Sequence, residues 1–213
     1  MSWRTKFRRF LDVQTQSEVL VEPEWTNLSL LLNSIFSFTD DDKEEILGKF
    51  TKLDVGKNQI LVRAGDVCEQ FYFVNRGCLR TYFLTSTGQE RTRLILPTFS
   101  IGTALTSFIS GSKSFEVLDS IEKSTVLAIS HVSFYDLVDR LPSWRTFYQK
   151  ILEMAYIFQN TRIEHLVSYS AAERFELLRR ENPELLQVVP GWILASYLDI
   201  APETLSRLRG FRT

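Results

Sequence analysis

Glu203, Ser206, Arg207 and Arg209 share one side of the stretch Pro202 to Arg209, whose other side carries Leu205 and Leu208. A carboxylate accepts from cytosine N4, and an arginine pairs bidentately with guanine O6 and N7. With Thr204 beside them, these residues form a candidate DNA-binding set suited to base edges in a major groove. A solvated helix face with an ordinary mixture of charges fits the same spacing.

Something must hold that face outward. Leu194, Leu198, Ile200, Leu205 and Leu208 recur at spacings that bury one side of two short helices, and small Ala195 lets them approach closely. Asp199 marks the turn, because Asp tolerates left-handed backbone angles, and Pro202 suits the first position of a helix, where its missing N–H had no partner anyway. The pattern predicts a helix-turn-helix. The run Pro202-Glu203-Thr204-Leu205-Ser206-Arg207 resembles the recognition helix of the Crp/Fnr family of bacterial transcription regulators. The resemblance assigns base contacts to Glu203, Ser206 and Arg207. Two positions depart from the family pattern. Asp199 stands where Gly is usual, and Ala201 stands where a Ser or Thr cap is usual, a hydrogen bond worth about 1 kcal/mol.

With 213 residues, 44% of them hydrophobic and 24% charged, the chain can bury one or two ordinary cores. No apolar run reaches the length of a membrane span, and no signal-peptide pattern opens the sequence, so a cytoplasmic location is expected. Cys68 and Cys78 are too few for a disulfide scaffold or a thiolate metal site and read as small core hydrophobes. The net charge of −1 argues against a chain-wide polyanion binder. From Pro202 onward, however, Arg207, Arg209 and Arg212 face only Glu203, a local balance of +2.

Met1 to Val13 mixes Arg4, Lys6, Arg8 and Arg9 with Trp3, Phe7, Phe10 and Leu11 at helical spacing. Such a segment could pack on the main domain, fray, or lie against phosphates or anionic lipid; packing or fraying is the expectation. Trp25 to Ile35 suggests a helix, and Thr39 with Asp42 caps another over Asp41–Phe50. From about Lys52 to Ile129 short strands alternate with glycines at 56, 65, 77, 88, 102 and 111, the punctuation of an antiparallel sandwich or barrel. The segments Ile60 to Asp66 and Phe71 to Gly77 resemble the β-roll of the cyclic-nucleotide-binding domain, with Gly65, Asp66 and Gly77 at its turns.

The resemblance then bears on the ligand. Cyclic-nucleotide binders of that family carry a Gly-Glu cradle for the ribose and an Arg for the cyclic phosphate. Here Ile101-Gly102-Thr103-Ala104 puts Thr103 at the Glu position, and Gly111 to Glu116 offers Lys113 and Ser114 but no Arg. Charge-assisted hydrogen bonds contribute about 1.5–3 kcal/mol each, so losing both makes tight cyclic AMP binding an unexpected outcome. Gly102, Thr103, Ala104, Lys113 and Ser114 remain the ligand-pocket candidates, for a smaller or apolar effector or for a pocket filled by its own side chains.

Ser130 caps a helix through Asp139, and Pro142 ends it. The longest helical pattern follows, Ser143 to about Val167, with Phe147, Ile151, Met154 and Phe158 at alternating spacings of four and three. In the resembling family this is the dimer helix, so those four are the expected dimer interface, with the roll along the helix's other side. His165 reads as a packed or exposed ring rather than a haem or metal ligand, because His131 is the other histidine. Oxygen-sensing members of the family bind an iron–sulfur cluster through N-terminal cysteines, and no Cys precedes Cys68. No haem, cluster or metal is expected. Ser168 to Ser170 forms a hinge, and Ser170 with Glu173 has capping-box spacing.

The expectation is an α+β fold: an antiparallel, jelly-roll-like β-roll with flanking helices, a long dimerisation helix and a C-terminal helix-turn-helix. The divisions are 1–50, 51–142, 143–168 and 169–213. The β-hairpin wing that follows the recognition helix in many relatives is absent or lies outside this sequence. Two histidines at unrelated positions and no phosphate loop leave no assembled chemistry, so no enzyme is expected. The resemblance implies a homodimer on an inverted-repeat DNA operator, with RNA polymerase and a small-molecule effector as further partners. The alternative is a ligand- or protein-binding β-roll whose DNA-binding end is vestigial.

Overall fold

The computed structural model describes residues 23–210. The basic segment Met1 to Val13 and Arg212 lie outside the described residues. Two helices, α1 (Pro23–Ile35) and α2 (Asp40–Leu47), precede the strands, and Thr39 caps α2 by accepting from the Asp42 amide at 3.2 Å. The strands are β1 (Thr51–Val55), β2 (Ile60–Val62), β3 (Gln70–Arg76), β4 (Cys78–Leu84), β5 (Glu90–Pro97), β6 (Ser100–Gly102), β7 (Glu116–Ser120) and β8 (Ser124–Ser130). They form two four-stranded antiparallel sheets, ordered β1-β8-β3-β6 and β2-β7-β4-β5. This is the expected roll. A short helix, α3 (Leu105–Ser110), interrupts it between β6 and β7 and was not foreseen from the sequence.

Two of the roll's glycines are there for conformational reasons. Gly77 has φ +101°, and a Cβ on it would sit 2.7 Å from the Ser124 Cα, so no side chain fits where β3 turns into β4. Gly65 has φ +93° in open space, so only its backbone angle favours glycine there.

Helices α4 (His131–Arg140) and α5 (Pro142–Ser168) follow, with Pro142 at the first position of α5. Leu28, Ile46, Phe134, Trp144, Phe147 and Ile151 join Phe73, Leu79 and Leu127 in one buried core, so α1, α2, α4 and the first half of α5 close the roll. Trp144 and Phe147 stack with centroids 4.8 Å apart. This corrects the expected dimer interface at Phe147 and Ile151. Phe147 (2% exposed) and Ile151 (6%) are committed to the chain's own core, and Met154 and Phe158 face the same way, half-buried. The opposite side of α5 carries Tyr156 (71% exposed), Ile163 (59%) and Val167 (81%), about half a turn around the helix at 100° per residue.

The C-terminal helices are α6 (Ala171–Glu181), α7 (Leu185–Val188), α8 (Gly191–Leu198) and α9 (Pro202–Gly210). Ser170 and Glu173 close the expected capping box, and the hydrogen bonds from Ser170 hold the Glu173 carboxyl below its usual range. Phe175, Leu178, Ile193, Leu194, Leu198 and Leu205 make a second core, and Cys78, Ile95 and Ile121 of the roll belong to it. Alternation along β4 explains how. Leu79 points into the roll, while its neighbour Cys78 points out against the helices. Cys68 and Cys78 are both buried thiols outside any disulfide, as their reading from sequence required.

Candidate nucleic-acid interface

The turn between α8 and α9 is built as a left-handed C-cap. Asp199 adopts φ 53°, ψ 51°; its amide donates to the Ser196 carbonyl at 3.2 Å and the Ile200 amide to the Ala195 carbonyl at 3.0 Å. Leu205 is buried and Leu208 half-buried against α8, which fixes how α9 is rotated. Glu203, Ser206, Arg207 and Arg209 are consequently exposed, and Thr204 is half-buried. Among the described residues, Glu203, Arg207 and Arg209 have no salt-bridge partner. Glu203 lies in the first turn and the two arginines in the last, each where the helix dipole favours its charge. The face is polar, cationic at one end and free to meet a groove.

α8 is fastened to the edge strand β5. The Thr92 amide donates to Ser196 Oγ at 2.8 Å, and that hydroxyl donates to the Glu90 carbonyl at 2.9 Å. Arg91 pairs with Asp199 at 2.6 Å. Arg162 of α5 donates to the carbonyls of both Thr92 (3.1 Å) and Tyr197 (2.7 Å). At the other end of α8, the Arg80 guanidinium lies between the rings of Tyr82 and Trp192, 4.2 and 4.7 Å from their centroids. Beneath it Arg80 makes a bidentate pair with Asp119, at 2.9 and 3.1 Å, and approaches Glu90 at 2.7 Å. Burial raises the Asp119 carboxyl above its ordinary value, although Arg80 pulls the other way.

A cavity of about 510 Å³ lies where β5, β6, α5, α6 and α8 meet. Of the ligand-pocket candidates, Gly102 and Thr103 border it, and Ala104, Lys113 and Ser114 do not. Ala104 is buried at the start of α3. Ser114 turns its hydroxyl onto the Glu116 carbonyl at 2.8 Å, and exposed Lys113 pairs by backbone with Val67. Even Thr103 spends its hydroxyl inside the roll, donating to the Gln70 carbonyl at 2.7 Å beside Cys68 Sγ at 2.9 Å. The cavity's cations are instead Arg93, Arg162, Arg174 and Arg180, with His165 stacked on Tyr169 at 4.9 Å. Sequence reasoning missed these arginines. The signal was there for Arg162, a lone cation between apolar Phe158 and Ile163 on the long helix.

Residues 52–141 match the family model described as the cyclic nucleotide-binding domain. The chain is 24% identical over 183 residues to the fumarate and nitrate reduction regulatory protein of Vibrio cholerae, covering 80% of this chain and 71% of that protein. It is 23% identical over 172 residues to the anaerobic regulatory protein of Pasteurella multocida, covering 75% of this chain and 62% of that one. Among solved structures it resembles FixK2 from Bradyrhizobium japonicum with a TM-score of 0.63 at 16% identity, covering 76% of this chain and 83% of that one. It also resembles the catabolite activator protein of Thermus thermophilus with a TM-score of 0.54 at 20% identity, covering 82% and 83%. At these identities the solved structures establish the fold. No helix among the described residues is long and apolar enough to cross a membrane.

Proposed function

We propose that this chain is a transcription regulator of the Crp/Fnr type, as its match to the cyclic nucleotide-binding domain and its similarity to the fumarate and nitrate reduction and anaerobic regulatory proteins support, and that two copies of it bind an inverted-repeat DNA operator through α9 and so regulate transcription. The observation that carries the reading is the free outward face of α9, held by the left-handed turn at Asp199 and the buried Leu205. Glu203, Ser206 and Arg207 read base edges, while Thr204 and Arg209 support the contact. The exposed stripe Tyr156, Ile163 and Val167 on α5 pairs the two copies. A two-fold axis through that stripe sets the two α9 helices about 34 Å apart, one turn of duplex.

Selection from a random duplex pool followed by fluorescence anisotropy tests this. The expected result is a selected inverted repeat whose affinity falls steeply with salt, and an Arg207→Ala variant weaker by about 1–3 kcal/mol with relaxed preference at one position per half-site. An affinity unchanged in Arg207→Ala would remove that residue from base reading. No salt-dependent affinity for any duplex would leave the vestigial alternative. The effector is unlike cyclic AMP in this account, because neither the cradle carboxylate nor the phosphate arginine is present at Thr103 or Lys113.

A further inference from the structure

The two sheets of the roll end on the edge strands β5 and β6, α5 borders the opening they leave, and α6 and α8 contribute its remaining wall. The cleft is partly open to solvent, and its volume of about 510 Å³ falls in the ~300–1,000 Å³ range of small-molecule sites. Leu94, Leu96, Ile101, Met154, Phe158 and Leu177 make much of the wall apolar. The charges along it do not balance. Arg93 is neutralised by Glu116 at 2.7 Å and Arg180 by Glu181 at 3.8 Å. Arg162 and Arg174 have no carboxylate partner among the described residues. Arg174 donates to the carbonyls of Tyr169 (2.6 Å), Leu198 (3.0 Å) and Asp199 (3.4 Å), and Arg162 to those of Thr92 and Tyr197. Several of these carbonyls end α8, whose dipole supplies roughly half a negative charge against two positive ones. A half-buried guanidinium facing an apolar chamber favours an anion.

We propose that this cavity binds an organic anion with an apolar body, its acid group paired with Arg162 and its hydrocarbon lodged between β5, β6 and α5. His165, three residues on along the same helix, also borders the cavity and offers a second donor. Arg162 ties Thr92 of β5 to Tyr197 of α8, so an anion that draws on its guanidinium competes with the bonds that hold α8 to the roll. Occupancy therefore changes how α9 is presented, and the ligand is an effector. That regulatory step rests on the DNA-binding reading; the anion site itself does not.

The probe is 8-anilinonaphthalene-1-sulfonate on the full chain, compared with N-phenyl-1-naphthylamine, which has the same rings without the acid group. The expected result is one saturable site per chain, at least about tenfold tighter for the sulfonate. Arg162→Gln abolishes that preference while the neutral dye still binds, Arg162→Lys keeps it, and Leu94→Trp weakens both dyes by filling the chamber. Arg179→Gln, outside the cavity, changes neither. Equal affinity for the two dyes, loss of the preference in Arg162→Lys, or binding unaffected by Leu94→Trp would overturn the site. Should Arg162→Gln fail to fold, the lysine and tryptophan variants decide the matter. With the sulfonate saturating, affinity for the selected duplex shifts at least about fivefold if occupancy controls presentation. An unchanged affinity refutes the effector role alone, and a protein that takes the dye but no DNA refutes the DNA-binding reading alone.

Discussion

Arg91 Nη1 lies 2.6 Å from Asp199 Oδ1, an ion pair that spans 108 residues of sequence and joins β5 to the turn that aims α9. Both side chains are about half exposed, so the pair contributes about 0–1 kcal/mol. The larger constraint at Asp199 is its backbone, at φ 53°. Asp199→Gly forfeits the pair but relieves the left-handed cost, and its stability in urea denaturation stays within about 0.5 kcal/mol of the original. Asp199→Ile forfeits the pair and adds about 1–2 kcal/mol of strain. Equal losses in the two variants would mean that the carboxylate, not the backbone, holds the turn.

Arg80 carries a heavier share of the junction. Its side chain is 5% exposed and that of Asp119 is 9%, so removing the cation leaves a buried carboxylate uncompensated. Arg80→Met loses about 3–5 kcal/mol, and adding Asp119→Leu recovers much of it, as expected when a buried pair is replaced by apolar side chains. Denaturant titration of both variants checks this. A single-variant loss under about 1 kcal/mol would show that water reaches the pair.

The two sides of α5 respond differently to the same chemical change. Ile163→Glu, on the exposed stripe, leaves the fold intact and dissociates the dimer in sedimentation equilibrium. Ile151→Glu buries a carboxylate in the roll's core and unfolds it. If Ile163→Glu stayed dimeric, the stripe would not be the contact between copies.

Isothermal titration of the full chain with cyclic AMP gives no saturable heat up to about 1 mM, because Thr103 and Lys113 cannot supply the lost charge-assisted bonds. Binding in the micromolar range would require polar partners for the ribose and phosphate that none of the candidate residues provides.

Local sequence chemistry carried much of the architecture. The capping box at Ser170 and Glu173, the cap at Thr39 and the turn at Asp199 all depend on neighbours within a few residues, and all stand where their spacing placed them, whereas Pro142, read as the end of one helix, opens the next. Long-range partners were less legible. Phe147, Ile151, Met154 and Phe158 showed that α5 buries a stripe, but nothing in their spacing said whether the roll or a second copy covers it. The cavity's arginines come from β5, α5 and α6, distant in sequence, and only the fold brings them to one wall. Ser114 was misplaced for a local reason, since its hydroxyl closes a turn onto Glu116 instead of facing the opening.

Hydroxyl-radical footprinting on a selected duplex tests the central claim most directly. Two protected patches are expected on each strand, centred about one helical turn apart, weakened together in Arg207→Ala and merged into no defined pattern in Ile163→Glu. A single protected patch, or a pattern identical in wild type and Arg207→Ala, would contradict the proposal that paired α9 helices read the operator.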